Sequence, residues 1–202
     1  MTDPLAFSGA SVDGGLYTWV TDLANRSPHF VNQVVSLWTD LGLGLFAVLM
    51  IVAWWRARGD GSVRMARVLA SPVIVVAAYA VNSVIKSLVD EQRPCQTIHT
   101  VTVEACPAVG DWSFPSNHSV IAAAAAIALL YADRRIGLIA IPAALLMAAS
   151  RVWVGAHYPH DVVAGLLVGA VLAVILAPLA TRAAPLVDRL STTRLRPLVS
   201  AG

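Results

Sequence analysis

Charge is what this chain has least of. Only 13% of its 202 residues are Asp, Glu, Lys or Arg, and 57% are hydrophobic; soluble domains usually carry about 25% charged residues. That deficit argues against a domain solvated by water on all sides and makes lipid its main solvent. Lysine is nearly missing, since Lys86 is the only one and every other basic side chain is Arg. A formal net charge of +2, with no basic run interleaved with aromatics, excludes nucleic acid as the expected partner. Cysteine is limited to Cys95 and Cys106. Neither a Cys-x-x-Cys pair nor a His cluster at ligand spacing accompanies them, so no metal site is read from them. No cleavable signal is expected: there is no basic n-region, and Pro4, Gly9, Gly14 and Gly15 break the first apolar run. Targeting is therefore expected to come from a retained spanning helix.

What is present is a series of long apolar runs. A bilayer core takes roughly 20 mostly apolar residues as helix. Five stretches qualify: 31–55, 69–89, 119–132, 136–151 and 161–180, the third and fourth short unless they extend into the polar residues beside them. Before them, Leu16–Asn25 mixes Tyr17, Trp19, Val20 and Leu23 with Asp22, which fits either an amphipathic helix at the interface or a polar tail. The expected architecture is an all-α polytopic membrane bundle in one domain, 1–202. It has about five spans, an interfacial amino-terminal segment at 1–29 and a cytoplasmic tail at 183–202. Arg56, Arg58, Arg64 and Arg67 join the first two spans, Arg134 and Arg135 the next pair, and Arg182, Arg189, Arg194 and Arg196 follow the last. All three groups fall on one side by parity, and the positive-inside rule makes that side cytoplasmic. Asp90–Phe114 and Val152–His160 then face the exterior of the plasma membrane. Cys95 and Cys106 share the first of these loops, as two free thiols or as a disulfide closing a loop of about a dozen residues, worth roughly 3 kcal/mol.

Three polar clusters interrupt the apolar pattern, all at the exterior ends, and ionisable groups there are functional hypotheses by default. Lys86 and Arg93, seven residues apart at the close of the second span, would share a helix face about 10 Å apart before Pro94 ends the helix. They can converge on one dianion or simply snorkel to the interface. Phe114-Pro115-Ser116-Asn117-His118 opens the third span. Ser and Asn are favoured caps, and a helix amino terminus offers phosphate its free N–H groups; an ordinary cap beside an interfacial His fits the same residues. Ser150-Arg151 and His157…Asp161 bridge the last two spans. Asp161 can accept from one imidazole nitrogen of His157 and leave the other nucleophilic, or the two can pair for structure alone. Taken together, three cations, two histidines, an aspartate and a helix terminus on one membrane face describe a phosphate site with a nucleophile and a proton donor.

These clusters resemble the signature of the type 2 phosphatidic acid phosphatase superfamily of lipid phosphate phosphatases, K-x6-R-P, P-S-G-H and S-R-x5-H-x3-D. Here they read Lys86…Arg93-Pro94, Pro115-Ser116-Asn117-His118 and Ser150-Arg151…His157…Asp161. Asn117 departs from the usual Gly. A polar residue there, and the phrase around Arg151–Asp161, make the chain similar to the bacitracin-resistance type of undecaprenyl pyrophosphate phosphatase. The resemblance implies His157 as nucleophile, Asp161 as the residue that orients it, and His118 as the acid, then base. It implies Lys86, Arg93, Arg151, Ser116 and the Asn117 backbone as phosphate ligands, with no metal and no cofactor. The implied reaction is hydrolysis of a membrane lipid, a polyprenyl diphosphate, to its monophosphate. Phosphatidate or phosphatidylglycerol phosphate hydrolysis, or transfer to another acceptor, would use the same residues. A soluble vanadium haloperoxidase shares the constellation but not the five apolar runs. A transporter would place ionisable groups at span centres, where only Asp40 and Asn82 look internal.

Overall fold

The computed structural model describes residues 7–200; the first six residues of the expected amino-terminal segment and the last two of the tail lie outside them. Eight α-helices matter here: α1 (Ala10–Arg26), α2 (His29–Ala57), α3 (Ser62–Val89), α4 (Pro94–Thr97), α5 (Asn117–Ala132), α6 (Arg134–Trp153), α7 (Pro159–Leu179) and α8 (Ala184–Ser191). A final turn, α9, covers Arg196–Val199, and a 3₁₀ turn links α7 to α8. Among the described residues, β structure is confined to a two-residue parallel pairing of β1 (Phe7–Ser8) with β2 (Glu91–Gln92). The protein is thus the expected all-helical bundle.

Among the described residues, four helices have the length and composition to cross a membrane: α2, α3, α6 and the run beginning with α7. The expected third span, α5, has only 16 residues, about 24 Å at 1.5 Å per residue. It can be short because it is the bundle's centre, packed by α3, α6 and α7, with Ala122–Ala126 all buried. Small side chains set these contacts. A Cβ on Gly165 would stand 2.6 Å from Ser116 O and 2.9 Å from Ser119 Cβ, and one on Gly169 would overlap Val120 O. Without side chains at these positions α7 lies backbone-close to α5, the usual way helices associate where burial from water drives nothing.

Helix ends depart from the sequence reading where polar partners allow it. α3 begins at Ser62, seven residues before the expected Leu69, because its arginines are engaged by the α5–α6 turn. Arg64 pairs with Asp60 and Asp133, Arg56 Nε reaches Asp133 Oδ2 at 2.8 Å, and Arg67 donates to Tyr131 O. Asp133 also caps α6. Burial would raise the Asp133 carboxyl, but the Arg56 hydrogen bond, the Ile136 N–H and Arg64 hold it low. α1 does more than lie at an interface. Tyr17, Thr21 and Ala24 are buried against the bundle while Leu16, Trp19 and Leu23 face outward. Residues 183–200 are folded: Val187 and Val199 join the core around Phe46 and Met65, and Trp54 Nε1 donates to Leu198 O.

Candidate active site

The three polar clusters meet at the end of the bundle opposite the α5–α6 turn. The first does so by a different route from the one read in the sequence. Lys86 and Arg93 do not share a helix face: α3 stops at Val89, and Asp90, at φ 49° and ψ 42°, turns the chain out of the helix. Arg93 sits on the extended segment and precedes α4. Polar partners overrode the helical spacing, because from there the Arg93 guanidinium reaches three directions. Its Nε donates to Asp111 O at 2.9 Å, Nη2 to Asp111 Oδ1 at 3.0 Å and Nη1 to Ala156 O at 2.8 Å.

His157 lies on the connection between α6 and α7 and is 2% exposed. Gly155, at φ +86°, makes the turn before it, and a Cβ there would overlap Thr102. The Gly155 carbonyl accepts from Tyr17 Oη at 3.0 Å, so α1 holds this turn. His157 Nδ1 faces Asp161 Oδ2 at 3.4 Å, and Nε2 faces Arg93 Nη1 at 3.2 Å. A guanidinium can only donate, so Nε2 carries a lone pair and Nδ1 the proton. Burial holds the His157 imidazole far below its ordinary range, at about 3; the Asp161 hydrogen bond pulls upward and Arg93 pushes further down. The side chain is therefore neutral at physiological pH, with one nitrogen oriented by a carboxylate and the other available. Asp161, 0% exposed, is itself fixed through Oδ2, which accepts from the Tyr158 N–H at 2.8 Å and from the Ser113 hydroxyl.

Ser116 precedes α5 but does not cap it, contrary to the simple capping alternative. Its Oγ is buried with no hydrogen-bond partner, as is Arg151 Nε. Buried donors are normally satisfied, and these two accompany the free N–H groups of a helix amino terminus. The Asn117 side chain turns to Asn82, whose Nδ2 lies 2.7 Å from Asn117 Oδ1 and 3.3 Å from Pro115 O. His118, in the first turn of α5, shares the electrostatic field of Arg151, Arg93 and Lys86. All the sequence-read site residues thus converge.

The loop between α4 and α5 supplies partners that the sequence reading did not assign. Lys86 Nζ donates to Trp112 O at 2.7 Å, and Arg151 lies 3.6 Å from Glu104 Oε2 and donates to Thr39 Oγ1 at 3.3 Å. Each of the three cations is therefore held by residues 104–112, and a disulfide joins Cys95 to Cys106 within the same loop. Burial raises the Glu104 carboxyl, and Arg151 opposes it. Asn82 carried a signal, an amide within an apolar helix; Ser113, Thr39 and Glu104 carried none. One group among the described residues has metal-ligand types in reach of each other, Glu91, His160 and Asp161, but both ring nitrogens of His160 already face carboxylates.

Fold and site together put the chain among the multi-pass membrane phosphatases. It belongs to the PAP2 superfamily, whose model matches residues 67–184 and so spans every cluster described above. It is 30% identical over 160 residues to undecaprenyl-diphosphatase BcrC of Bacillus subtilis, covering 78% of this chain and 79% of that protein. It is 38% identical over 100 residues to decaprenylphosphoryl-5-phosphoribose phosphatase of Mycobacterium tuberculosis, covering 48% and 52%. The crystal structure of Aquifex aeolicus LpxE has the same fold, at TM-score 0.57 and 21% identity over 87% of this chain and 98% of that one.

Proposed function

We propose that the protein hydrolyses a polyprenyl diphosphate, of the undecaprenyl or decaprenyl class, to the monophosphate through a phosphohistidine at His157. The observation that carries this reading is the environment of His157. It is a neutral imidazole whose Nδ1 faces Asp161 and whose Nε2 faces Arg93, set among three cations. Phosphoryl transfer depends on positioning and charge stabilisation more than on elaborate covalent chemistry, and those are what the residues provide.

In the first step Nε2 of His157 attacks the terminal phosphorus, and the bond from that phosphorus to the bridging oxygen breaks. Polyprenyl monophosphate departs with a proton from His118. Asp161 stabilises the positive charge gained by the His157 ring. Lys86, Arg93, Arg151, the Ser116 hydroxyl and the Asn117 N–H hold the phosphoryl oxygens. Water then attacks the same phosphorus, gives its proton to His118, and the N–P bond breaks to release inorganic phosphate. These cations supply the positive charge, so the reaction as proposed uses no metal. The arginine-rich turns at the opposite end favour an extracytoplasmic site. The polyprenyl substrate is favoured by the polar residue at 117 and by the two named relatives, both of which act on polyprenyl lipids by name. The second relative also supports a phosphate monoester on a polyprenyl-linked sugar as the alternative.

Rapid-quench detection of acid-labile phosphoenzyme, together with phosphate release across polyprenyl diphosphate, phosphatidate and phosphatidylglycerol phosphate, tests the proposal. His157→Ala should form no phosphoenzyme with any substrate. General acid help is worth ~10²–10⁴-fold where the leaving group needs a proton, so His118→Ala should lose phosphatidate hydrolysis yet still label with an aryl phosphate bearing an electron-withdrawing group. Labelling of His157→Ala but not of His118→Ala would exchange the two roles.

A further inference from the structure

His160 opens α7 beside Asp161, and the mechanism above gives it no task. Its Nδ1 lies 2.8 Å from Asp13 Oδ1 and its Nε2 2.9 Å from Glu91 Oε1, while its backbone N–H donates to Asp13 Oδ2 at 2.7 Å. A neutral imidazole has one N–H and one lone pair; it would set that lone pair against a carboxylate oxygen, whereas the imidazolium donates to both. The same Nε2 is 3.5 Å from Asp161 Oδ1, a buried oxygen with no hydrogen-bond partner. Asp161 therefore stands between two histidines, Oδ2 turned to His157 and Oδ1 to His160.

The groups around His160 come from distant parts of the chain. Asp13 sits at a kink in α1, where φ of −148° interrupts the helix. Glu91, 1% exposed, lies on β2, pairs with Phe7 across the short sheet, and accepts at its carbonyl from the Ser113 N–H at 2.7 Å. Gly9 passes so close that a Cβ there would overlap Glu91 Oε1 and meet His160 Cε1 at 2.6 Å. Tyr158 stacks on the imidazole with ring centroids 5.3 Å apart, and Phe114 lies 6.0 Å away. The titratable and charged groups facing His160 are thus Asp13 from α1, Glu91 from β2, Asp161 from α7 and Tyr158 from the α6–α7 connection.

We propose that His160 is a positioning residue for phosphoryl transfer: an imidazolium clamped by Asp13 and Glu91 that keeps Asp161 anionic and aligned on His157, and that makes this alignment depend on docking of the amino-terminal segment. The inference rests on His157 acting as the nucleophile. A positive charge this near favours the Asp161 anion and disfavours proton uptake by His157.

The test is the pH dependence of phosphoenzyme formation by the full chain in detergent, compared with His160→Gln, Asp13→Asn and His157→Ala. His160→Gln should move the acid limb towards neutrality by about one pH unit, whereas Asp13→Asn, which leaves the imidazolium on Glu91, should not move it towards neutrality. If His160→Gln fails to fold, His160→Asn, whose amide can still meet Asp13, carries the test. A uniform loss at every pH with an unmoved limb would mean the clamp only holds the fold together, and would overturn the proposal. So would a wild-type limb that shifts on adding Zn²⁺ or a chelator, since the cluster would then be a metal site. His157→Ala that still labels would remove the nucleophile assignment itself. An unmoved limb with an unlabelled His157→Ala would remove only the role of His160.

Discussion

Arg151 shows how much of this site depends on shape as well as charge. One end of its guanidinium reaches Thr39 and Glu104, while Nε is buried without a partner. A planar fork can serve protein and phosphate at once; an ammonium is a single point charge. Arg151→Lys should therefore lower kcat/KM by about 100-fold or more despite the retained charge, since charge-assisted bidentate contacts are the strong ones. Phosphate release at saturating and limiting substrate measures this, and near-native turnover would make Arg151 an anchor only. Asn117 makes a related point. It looks like an intrusion where the family usually has Gly, yet its side chain is taken up by Asn82, leaving the α5 terminus open.

At the scale of elements, the site is positioned by close helix contacts and by one loop. α7 carries Asp161 and α5 carries Ser116, Asn117 and His118, and the Ser116 N–H donates to Asp161 O at 3.1 Å. That bond exists because Gly165 and Gly169 let the two helices approach. Gly169→Leu should cost about 1–3 kcal/mol through overpacking and should lose activity in step with thermal stability in detergent. A variant of unchanged stability and activity would show that the α5–α7 contact is looser than described. The loop of residues 104–112 acts on the other side, holding Lys86, Arg93 and Arg151 through Trp112, Asp111 and Glu104.

The whole molecule divides into two charged ends separated by apolar helices. One end ties Arg56 and Arg64 to Asp133; the other gathers the proposed phosphate ligands. The proposed orientation is checked with single cysteines at Gly59, which has open space around it, or at Val109, 70% exposed, in a variant lacking Cys95 and Cys106. An impermeant thiol reagent on intact cells should label position 109 and spare position 59; the reverse would invert the protein.

The sequence alone was enough for the helical bundle and its family, and it named the residues on which the proposed function draws. Those follow from local rules: apolar length sets a span, and polar residues persist in apolar helices only for a reason. Tertiary structure alone decided how the groups work together. That α3 breaks at Asp90, freeing Arg93 from the helical register of Lys86, depends on partners 18 and 63 residues away. The neutrality of His157 is a consequence of burial, which spacing does not encode. Asp13 and His160 are 147 residues apart, and no local pattern joins them; only tertiary packing, which brings Asp13 of α1 to Nδ1 and Glu91 of β2 to Nε2, puts a carboxylate on each nitrogen of that ring.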